Sequence, residues 1–415
     1  MTVRTNVALL ALEDGSIFWG QSVGDPGETF GEMVFNTGMT GYQELLTDPS
    51  YRGQIVVMTY PEIGIYGVNP HDGESEQIQV AGFVVHRAVR NPWNQRATES
   101  LTEYLRRAGI VAIEGVDTRA LTRHIRTQGA MRGAISSMDL DPGGLIARVR
   151  QSPRMAGRNL AQAVMPDEPG AIARRDDGRV HIVVVDAGRK ESIVNDLLRR
   201  GVAVTVVPYS SDLNSVLALQ PDGVLVSNGP GDPAVLHRTV ALIRALLERH
   251  IPLAGICLGH QLLGLAIGGE TYKMRFGHRG VNHPVKNLTT GRVLITTQNH
   301  GFAVDPTSLG VAWRPLELRD SLSPTEPAST MAELLPQEFL VGESPLGFGD
   351  VEITHLSLND GTLEGLRLRE PPACSVQFHP EASPGPHDAK SFFDTFLEMV
   401  DGEVSDTDRL AGLRL

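Results

Sequence analysis

Three residues have the types and the order of a nucleophile, its base and an orienting acid. The first, Cys257, lies between two glycines in the stretch GICLGHQ, directly after the apolar run IPLAGI. A Gly-x-Cys-x-Gly turn between a strand and a helix is typical of a nucleophile elbow, which lifts the side chain above a sheet on a strained turn. The amino end of the following helix favours a thiolate, because its free N–H groups stabilise negative charge. The pattern predicts a cysteine nucleophile.

The base and its orienting group are expected in the stretch FHPEA. His379 follows a run with strand character, CSVQF, and Glu381 lies two residues further on, so both side chains can point the same way from extended backbone. A cysteine nucleophile needs a base, and the base needs a group that holds its tautomer. Cys257, His379 and Glu381 together predict a catalytic triad. The second cysteine, Cys374, lies in the strand-like run and is expected to be a buried structural residue.

The elements that would position the nucleophile alternate between apolar strands and amphipathic helices after residue 180. Strands are predicted in HIVVVDAG, VAVTVVP, DGVLVSNGPGDP and IPLAGI. Helices are predicted in RKESIVNDLLRRG, SDLNSVLALQ, the segment capped by Asp232 and Pro233, and LGHQLLGLAIGG. This alternation predicts an α/β domain with a parallel sheet covered by helices on both faces. Ligands of such sheets bind at the carboxyl ends of the strands, where Cys257 would lie.

The first 165 residues have a different pattern and predict a β-rich, α+β domain. Short alternating segments such as VALLALEDGSIFWG are separated by turn-rich stretches such as NTGMTGYQELLTDPSYRGQ. Residues 166–179 combine Pro, Gly and mixed charges, and a linker is expected there. We therefore predict domains at 1–165 and 180–402.

Composition and charge exclude several classes of function. The 415 residues carry a formal net charge of −12, which argues against nucleic acid or an anionic membrane as the main partner. Two cysteines far apart in the sequence form neither a disulfide framework nor a metal set, and they fit a reducing compartment. The first apolar run is too short for a signal peptide, and the run around Cys257 is too interrupted to span a membrane. A cytoplasmic location is expected.

Residues 180–400 resemble the class I, or triad, glutamine amidotransferase domain. The resemblance rests on SNGPGDP, GICLGHQ and FHPEA, which occur in the family's order. The first third of the chain indicates one branch of that family. Its stretches FNTGMTGYQELLTDPSYRGQIVVMTYPEIGIYG and GVDTRALTRHIRTQGAMRGAI are similar to the small subunit of carbamoyl-phosphate synthetases. Two later stretches, NHGFAV and HPEASPGPHD, are similar to the same subunit. The resemblance implies a glutaminase that passes ammonia to a large synthetase subunit, which makes carbamoyl phosphate for pyrimidine and arginine biosynthesis.

The resemblance also implies roles for individual positions of this sequence. Cys257, His379 and Glu381 match the family's triad, and the N–H groups of Leu258 and Gly229 match its oxyanion donors. The positions that match its contacts to L-glutamine are Ser50, Gly229, Gly231, Leu258, Gln261, Asn299, Gly301 and Phe302. Because Ser50 belongs to the first predicted domain, the glutamine pocket is expected where the two domains meet.

Cofactors and partners follow from the same resemblance. No metal or cofactor is expected on this chain, which has no P-loop signature; ATP and Mg²⁺ would bind to the large subunit. The two subunits would form a heterodimer or a higher oligomer. One departure from the family is the segment 313–352, rich in Pro, Ser, Glu and Gly, where a surface insertion or mobile loop is expected.

Two alternatives stay open. The chain could serve another synthase, such as an anthranilate or GMP synthase, or be a free γ-glutamyl hydrolase; the first 165 residues argue against both, because those enzymes lack such a domain. It could instead be a catalytically inactive regulatory partner. The presence of Cys257, His379 and Glu381 argues against that interpretation.

Overall fold

The computed structural model describes residues 6–165, 170–173, 180–313 and 340–402. The chain divides into two compact units, Met1–Val164 with Arg275–Gly280 and Met165–Met274 with Val281–Leu415. None of the described helices combines the length and the apolar character that a membrane span requires. The predicted linker at 166–179 lies outside the described residues, apart from the short strand that Gly170–Ala173 form.

The first unit is built on a closed β-barrel. Its described barrel strands are β1 (Val7–Leu12), β2 (Ile17–Ser22), β3 (Glu28–Asn36), β4 (Gln54–Met58), β6 (Gly82–Val84), β8 (Ala112–Glu114) and β9 (Met131–Ser136). They follow one another around the barrel in the order β1-β2-β8-β6-β4-β3-β9, and β9 closes on β1. Two further short strands, β5 (Glu62–Ile63) and β7 (Arg87–Ala88), pair with each other. The prediction of a β-rich first domain is confirmed.

Four α-helices accompany the barrel in the described part of this unit. They are α1 (Tyr42–Thr47), α2 (Leu101–Arg107), α3 (Thr118–Gln128) and α4 (Pro142–Gln151). Strand β4 shows how they pack, since every residue of QIVVM is buried. Ile55 and Val57 belong to one core cluster, whereas Val56 and Met58 belong to another that includes Leu45 of α1 and Leu101 of α2. Both faces of the strand are therefore covered, which explains its continuous apolar sequence.

The second unit is an α/β domain around one large sheet. Its described strands are β10 (Gly170–Ala173), β11 (His181–Asp186), β12 (Ala203–Pro208), β13 (Gly223–Val226), β14 (Leu253–Ile256), β15 (Glu270–Asn287), β16 (Val293–Asp305), β17 (Leu340–Glu343), β18 (Asp350–Ser357), β19 (Leu363–Leu368) and β20 (Ala373–Val376). The strand order is β10-β12-β11-β13-β14-β20-β19-β18-β15-β16, with β17 paired to β18. The described α-helices are α5 (Glu191–Arg199), α6 (Leu213–Leu217), α7 (His237–Leu247), α8 (Leu258–Ala266) and α9 (Ser391–Asp401).

The predicted parallel sheet is confirmed in the middle of this order. Strands β12, β11, β13, β14 and β20 run parallel, so their carboxyl ends lie at one edge. The sequence alternation did not predict the antiparallel strands β17, β18 and β19 that extend the sheet beyond β20. Helices α5 and α9 cover one face through a cluster in which Ile193 and Phe393 pack with Val184.

One local prediction is wrong, and another has bounds that are too wide. Asp232 and Pro233 do not begin α7: the Asp232 carboxylate accepts a hydrogen bond from Ala234 N at 2.9 Å and caps a 3-10 turn, and α7 begins at His237. The predicted surface insertion at 313–352 lies outside the described residues at 314–339, but Leu340–Glu343 form β17, which pairs with β18. The carboxyl-terminal part of that segment thus pairs with the sheet along one side, through β18.

Candidate active site

Cys257 lies on a strained turn between β14 and α8. Its backbone has φ 54° and ψ −101°, in a region that residues other than glycine rarely adopt. Both neighbouring glycines are needed for this turn: a Cβ on Gly255 would lie 2.6 Å from Gly259 O, and a Cβ on Gly259 would lie 2.2 Å from Val226 O. Any side chain at either position would force the backbone to move. The turn has the geometry of a nucleophile elbow.

The thiol of Cys257 lies in a buried polar network. Its Sγ is 3.7 Å from Asn299 O, and Gln377 Nε2 donates to Sγ at 3.6 Å. Gln261 Nε2 in turn donates to Gln377 Oε1 at 3.0 Å and to Phe302 O at 2.8 Å. Three predicted glutamine-binding residues, Gln261, Asn299 and Phe302, are therefore connected to the nucleophile through direct contacts or through Gln377.

His379 and Glu381 form a buried hydrogen-bonded pair just after β20. His379 Nδ1 lies 2.7 Å from Glu381 Oε1, and His379 N donates to Thr297 O of β16 at 2.9 Å. His379 Nε2 is buried and has no hydrogen-bond partner among the described residues. Since Nδ1 is engaged by the carboxylate, Nε2 is the ring nitrogen left for a substrate. This is the relation between base and orienting acid that a triad requires.

A third charged group, the Lys190 ammonium, contacts the Glu381 carboxylate. The Lys190 side chain is 2% exposed, and Nζ lies 3.1 Å from Glu381 Oε1 and donates to Ala382 O at 2.5 Å. The backbone N–H of Lys190 donates to Asn228 Oδ1 at 3.0 Å, which anchors the residue at the amino end of α5. A buried carboxylate is costly unless it is paired, and here Glu381 has two cationic neighbours.

Lys190 and His379 both stabilise the ionised form of Glu381, and Glu381 stabilises the charged form of His379. Burial alone would raise the pKa of Glu381, but the Lys190 ammonium and the His379 imidazolium lower that pKa to about 2. Burial alone would lower the pKa of His379, but the Glu381 carboxylate and the nearby Cys257 thiolate raise it to about 10. A protonated imidazole beside an ionised carboxylate is therefore favoured at neutral pH. That form of His379 can deliver a proton to a leaving group.

The two residues whose N–H groups are the predicted oxyanion donors, Gly229 and Leu258, lie close together. Leu258 is the first residue of α8, and a Cβ on Gly229 would lie 2.9 Å from Leu258 Cδ2 and 2.2 Å from Ala187 O. Gly229 must therefore be a glycine. Gly231, in the same loop, has φ 98°, a conformation that favours glycine as well. The loop after β13 and the amino end of α8 thus approach each other at the carboxyl edge of the sheet.

The remaining predicted glutamine-binding residues lie in two places. Asn299, Gly301 and Phe302 belong to β16, and the Phe302 ring carries the Lys273 ammonium 4.8 Å from its centroid. Ser50 belongs to the first unit, where it is buried in a 3-10 turn and its N–H donates to Asp48 Oδ1 at 2.9 Å. The glutamine contact of Ser50, and the predicted pocket between the two domains, stay predictions.

Two functional candidates, Lys190 and Gln377, were not predicted from the sequence. A lysine in a polar stretch such as GRKES is normally a surface residue, so its type and neighbours do not indicate a buried functional role. Its position directly after the carboxyl end of β11 was the available signal, because that edge of the sheet also holds the elbow. Gln377 gave a similar signal, since it precedes His379 by two residues and so shares its side of an extended chain.

Cys374 and His260 are buried residues with structural roles. Cys374 is buried in β20, as predicted, and burial raises the pKa of its thiol to about 12. His260 is fully buried with Nδ1 2.9 Å from Ser375 Oγ. Burial, and to a smaller extent electrostatic repulsion from His355, lower the pKa of His260 to about 3, so it is a neutral packing residue.

Lys190→Met is expected to shift the acidic limb of the pH profile for the predicted glutamine hydrolysis upward by about 1 pH unit or more, because loss of the ammonium raises the pKa of Glu381. A protonated Glu381 no longer stabilises the charged imidazole of His379. The measurement is kcat/KM for glutamine hydrolysis against pH. Lys390→Met is the matched control, since Lys390 also pairs with a buried carboxylate, that of Asp196 at 3.3 Å, away from the triad. An unshifted limb in Lys190→Met would contradict the positioning role.

Two family models match the chain. The one described as "Carbamoyl-phosphate synthase small chain, CPSase domain" matches residues 10–135, and the one described as "Glutamine amidotransferase class-I" matches residues 183–322 and 341–399. The interruption at 323–340 falls within the predicted insertion at 313–352 but is shorter. The extra segment is therefore smaller than the sequence composition indicated.

Curated relatives align with nearly the whole chain. A protein named "Carbamoyl phosphate synthase small chain" from Thermotoga maritima is 62% identical over 394 residues, which cover 95% of this chain and 98% of the relative. Proteins of the same name from Solidesulfovibrio magneticus and Methanopyrus kandleri are 46% and 48% identical and cover 96% and 94% of this chain. The similarity extends over both compact units.

Proposed function

Because the chain belongs to the family of carbamoyl-phosphate synthase small chains and is its glutamine-hydrolysing subunit, we propose that Cys257, His379 and Glu381 carry out the hydrolysis. The substrate in this proposal is L-glutamine, and the products are glutamate and ammonia. The observation that carries the proposal is the buried His379–Glu381 pair, whose free Nε2 lies on the same edge of the sheet as the elbow cysteine.

In the first half of the reaction, the Cys257 thiolate attacks the side-chain amide carbon of glutamine. The carbonyl oxygen becomes an oxyanion, which the N–H groups of Leu258 and Gly229 would stabilise. His379 donates its proton to the amide nitrogen as the C–N bond breaks, so that ammonia leaves and a thioester remains on Cys257. Glu381 keeps His379 in the charged form that this step requires, and Lys190 keeps Glu381 ionised.

In the second half, the neutral His379 accepts a proton from water, and the hydroxide that forms attacks the thioester carbon. The C–S bond breaks, glutamate leaves, and the thiolate and the imidazolium are restored. In this proposal the amino acid end of the substrate is held by residues of the second unit, namely Gln261, Asn299, Gly301 and Phe302. Ser50 and Gly231 complete the proposed set.

The ammonia serves a partner in this proposal. The family implies a large synthetase subunit, and we propose a heterodimer or a higher assembly of it in which ATP and Mg²⁺ bind to the large subunit only. Glutamine hydrolysis needs neither ATP nor Mg²⁺, because the triad provides the nucleophile and both proton transfers. Two free, buried cysteines support a cytoplasmic location, where thiols stay reduced.

The proposal is tested by the glutaminase turnover of the purified chain, alone and with the large subunit, ATP and bicarbonate. We expect the isolated chain to be slow and the complex to be faster by about 10²-fold, since a displacement of roughly 1 Å at an oxyanion donor has an effect of this size. In the isolated chain, the loop that holds Gly229 can turn its N–H away from the oxyanion, because the loop contains two glycines.

The same experiment separates the alternatives. Full turnover by the chain alone, unchanged by any partner, would favour a free hydrolase and would overturn the subunit assignment. Absence of glutaminase activity in the complex, with ammonia-dependent synthesis intact, would favour an inactive regulatory partner. Carbamoyl phosphate made from glutamine, with labelled amide nitrogen in the product, supports the proposal.

A further inference from the structure

Gln377 is a buried polar side chain that the hydrolysis proposed above does not use. It is 0% exposed and lies directly after β20. Its Nε2 donates to Cys257 Sγ at 3.6 Å, and its Oε1 accepts a hydrogen bond from Gln261 Nε2 at 3.0 Å. The Gln377 amide therefore lies between the proposed nucleophile and a residue of the proposed glutamine-binding set.

The sheet fixes the backbones of Cys257 and Gln377 next to each other. Strands β14 and β20 are parallel neighbours, and Ile256 is the register partner of Val376, so the two residues that follow leave the sheet together. The backbone N–H of Cys257 donates to Val376 O at 2.9 Å, and that of Gln377 donates to Glu364 O at 2.9 Å. The contact between the Gln377 amide and the sulfur thus rests on two anchored backbones at the carboxyl edge.

A backbone carbonyl sets the direction of the hydrogen bonds around Gln377. Phe302 O can only accept, so the group of Gln261 that lies 2.8 Å from it must be the amide NH2. The same NH2 group also contacts Gln377, so the atom of Gln377 that faces Gln261 must be the oxygen. The NH2 group of Gln377 is then the group that faces Cys257 Sγ.

A donor in this position stabilises a thiolate more than a thiol. Hydrogen bonds to an ionised acceptor are roughly twice as strong as those between neutral groups, and bonds in a chain strengthen one another by polarisation. Asn299 O, which lies 3.7 Å from Sγ, has the opposite preference, because a carbonyl oxygen can accept from a thiol but cannot donate to a thiolate. The Gln377 amide therefore favours the form of Cys257 that attacks the substrate.

We propose that Gln377 is a positioning residue that holds the sulfur of Cys257 as a thiolate and fixes its direction. Its donor is held in place by the chain of hydrogen bonds that begins at Phe302 O and passes through Gln261. The inference rests on the proposed function for the identity of Cys257 as the nucleophile. It adds a second source of thiolate stabilisation beside the His379–Glu381 pair.

The test is the rate at which iodoacetamide alkylates Cys257 in the full chain, measured against pH. Mass spectrometry of the peptide that contains Cys257 separates its reaction from that of Cys374. In Gln377→Met, which has a similar length but no donor, we expect the alkylation profile to shift to higher pH by about 1 unit, because the thiolate is the reacting form. In the reconstituted complex, we expect glutamine-dependent synthesis to fall by about 10-fold and ammonia-dependent synthesis to be unchanged.

Gln377→Glu is a second variant that tests the donor itself. The glutamate side chain has nearly the shape of glutamine and keeps an oxygen towards Gln261, but it places a second carboxylate oxygen beside the sulfur. Because that oxygen is negatively charged when ionised and cannot donate, we expect a shift in the same direction and at least as large as in Gln377→Met. This variant decides the question if Gln377→Met does not fold, as judged by circular dichroism and thermal unfolding.

The matched control is Gln43→Met in the first unit. Gln43 is also buried and also uses both ends of its amide, since its Nε2 donates to Asn69 O at 2.5 Å and its Oε1 accepts from Asn69 N at 2.9 Å. Its replacement should leave the alkylation profile of Cys257 in place. An unshifted profile in the Gln377 variants, or an equal shift in Gln43→Met, would overturn the proposal. So would faster alkylation at every pH without a shift, because Gln377 would then only keep the site closed.

Failure of this inference is distinguishable from failure of the proposed function. If the unsubstituted chain hydrolyses no glutamine, alone or with the large subunit, the proposed function itself fails. If the unsubstituted chain is active but the Gln377 variants keep both its alkylation profile and its glutamine-dependent rate, only the role of Gln377 is wrong.

Discussion

Cys257→Ser is expected to lower glutamine-dependent carbamoyl phosphate synthesis by on the order of 10³-fold or more while ammonia-dependent synthesis is retained. A serine hydroxyl at the elbow is a far poorer nucleophile than a thiolate, because an alcohol stays protonated near neutral pH. The large subunit's own chemistry is untouched. The measurement is the rate of carbamoyl phosphate formation by the complex with saturating glutamine and, separately, with saturating ammonia.

The control for this variant is Cys374→Ser, the same exchange at the other buried cysteine. A hydroxyl in the apolar surroundings of β20 is expected to cost about 1–3 kcal/mol of stability but to leave the ratio of the two activities unchanged. If Cys257→Ser reduced both activities in parallel, Cys257 would be a structural residue, and the proposed mechanism would have no nucleophile.

The strained turn at Cys257 could be predicted from sequence because its determinants are local. Gly255 and Gly259 are required by direct approaches to neighbouring backbone, and that requirement is visible as a Gly-x-Cys-x-Gly pattern. The contact between His379 and Glu381 could be predicted for a similar reason, since a two-residue spacing in extended backbone places both side chains on one side. The parallel strands were predictable from their apolar runs, which reflect burial on both faces.

The remaining features depend on long-range pairing that leaves little local signal. Lys190 meets Glu381 across 191 positions of sequence, and only the sheet brings them together. Likewise, β17 is recognisable only through its partner β18, because LVGE has no alternation that distinguishes a strand from a loop. The start of α7 was misplaced because Asp232 is a good cap in sequence, but the backbone at Leu236 leaves the helical conformation after one 3-10 turn.

His379→Asn is the second variant with a large expected effect. An asparagine can keep the hydrogen bond to Glu381 Oε1 through its amide N–H, and Lys190 still balances the buried carboxylate at 3.1 Å, so the fold should be preserved. No atom of asparagine reaches the position of His379 Nε2, and its amide does not titrate. We expect kcat for glutamine hydrolysis to fall by about 10²–10⁴-fold, the usual contribution of a general acid and base, with little change in glutamine affinity.

The experiment compares His379→Asn with His181→Asn in the reconstituted complex. His181 is also buried, but it begins β11 at the amino edge of the sheet, with Nε2 2.9 Å from Thr205 Oγ1, so its replacement controls for the loss of a buried imidazole. Glutamine binding, glutamine-dependent rate and ammonia-dependent rate are measured for both. A His379→Asn enzyme that kept its glutamine-dependent rate would show that another group moves the protons. Loss of glutamine binding instead of rate would make His379 a substrate contact, and the base would have to be sought elsewhere at the carboxyl edge of the sheet.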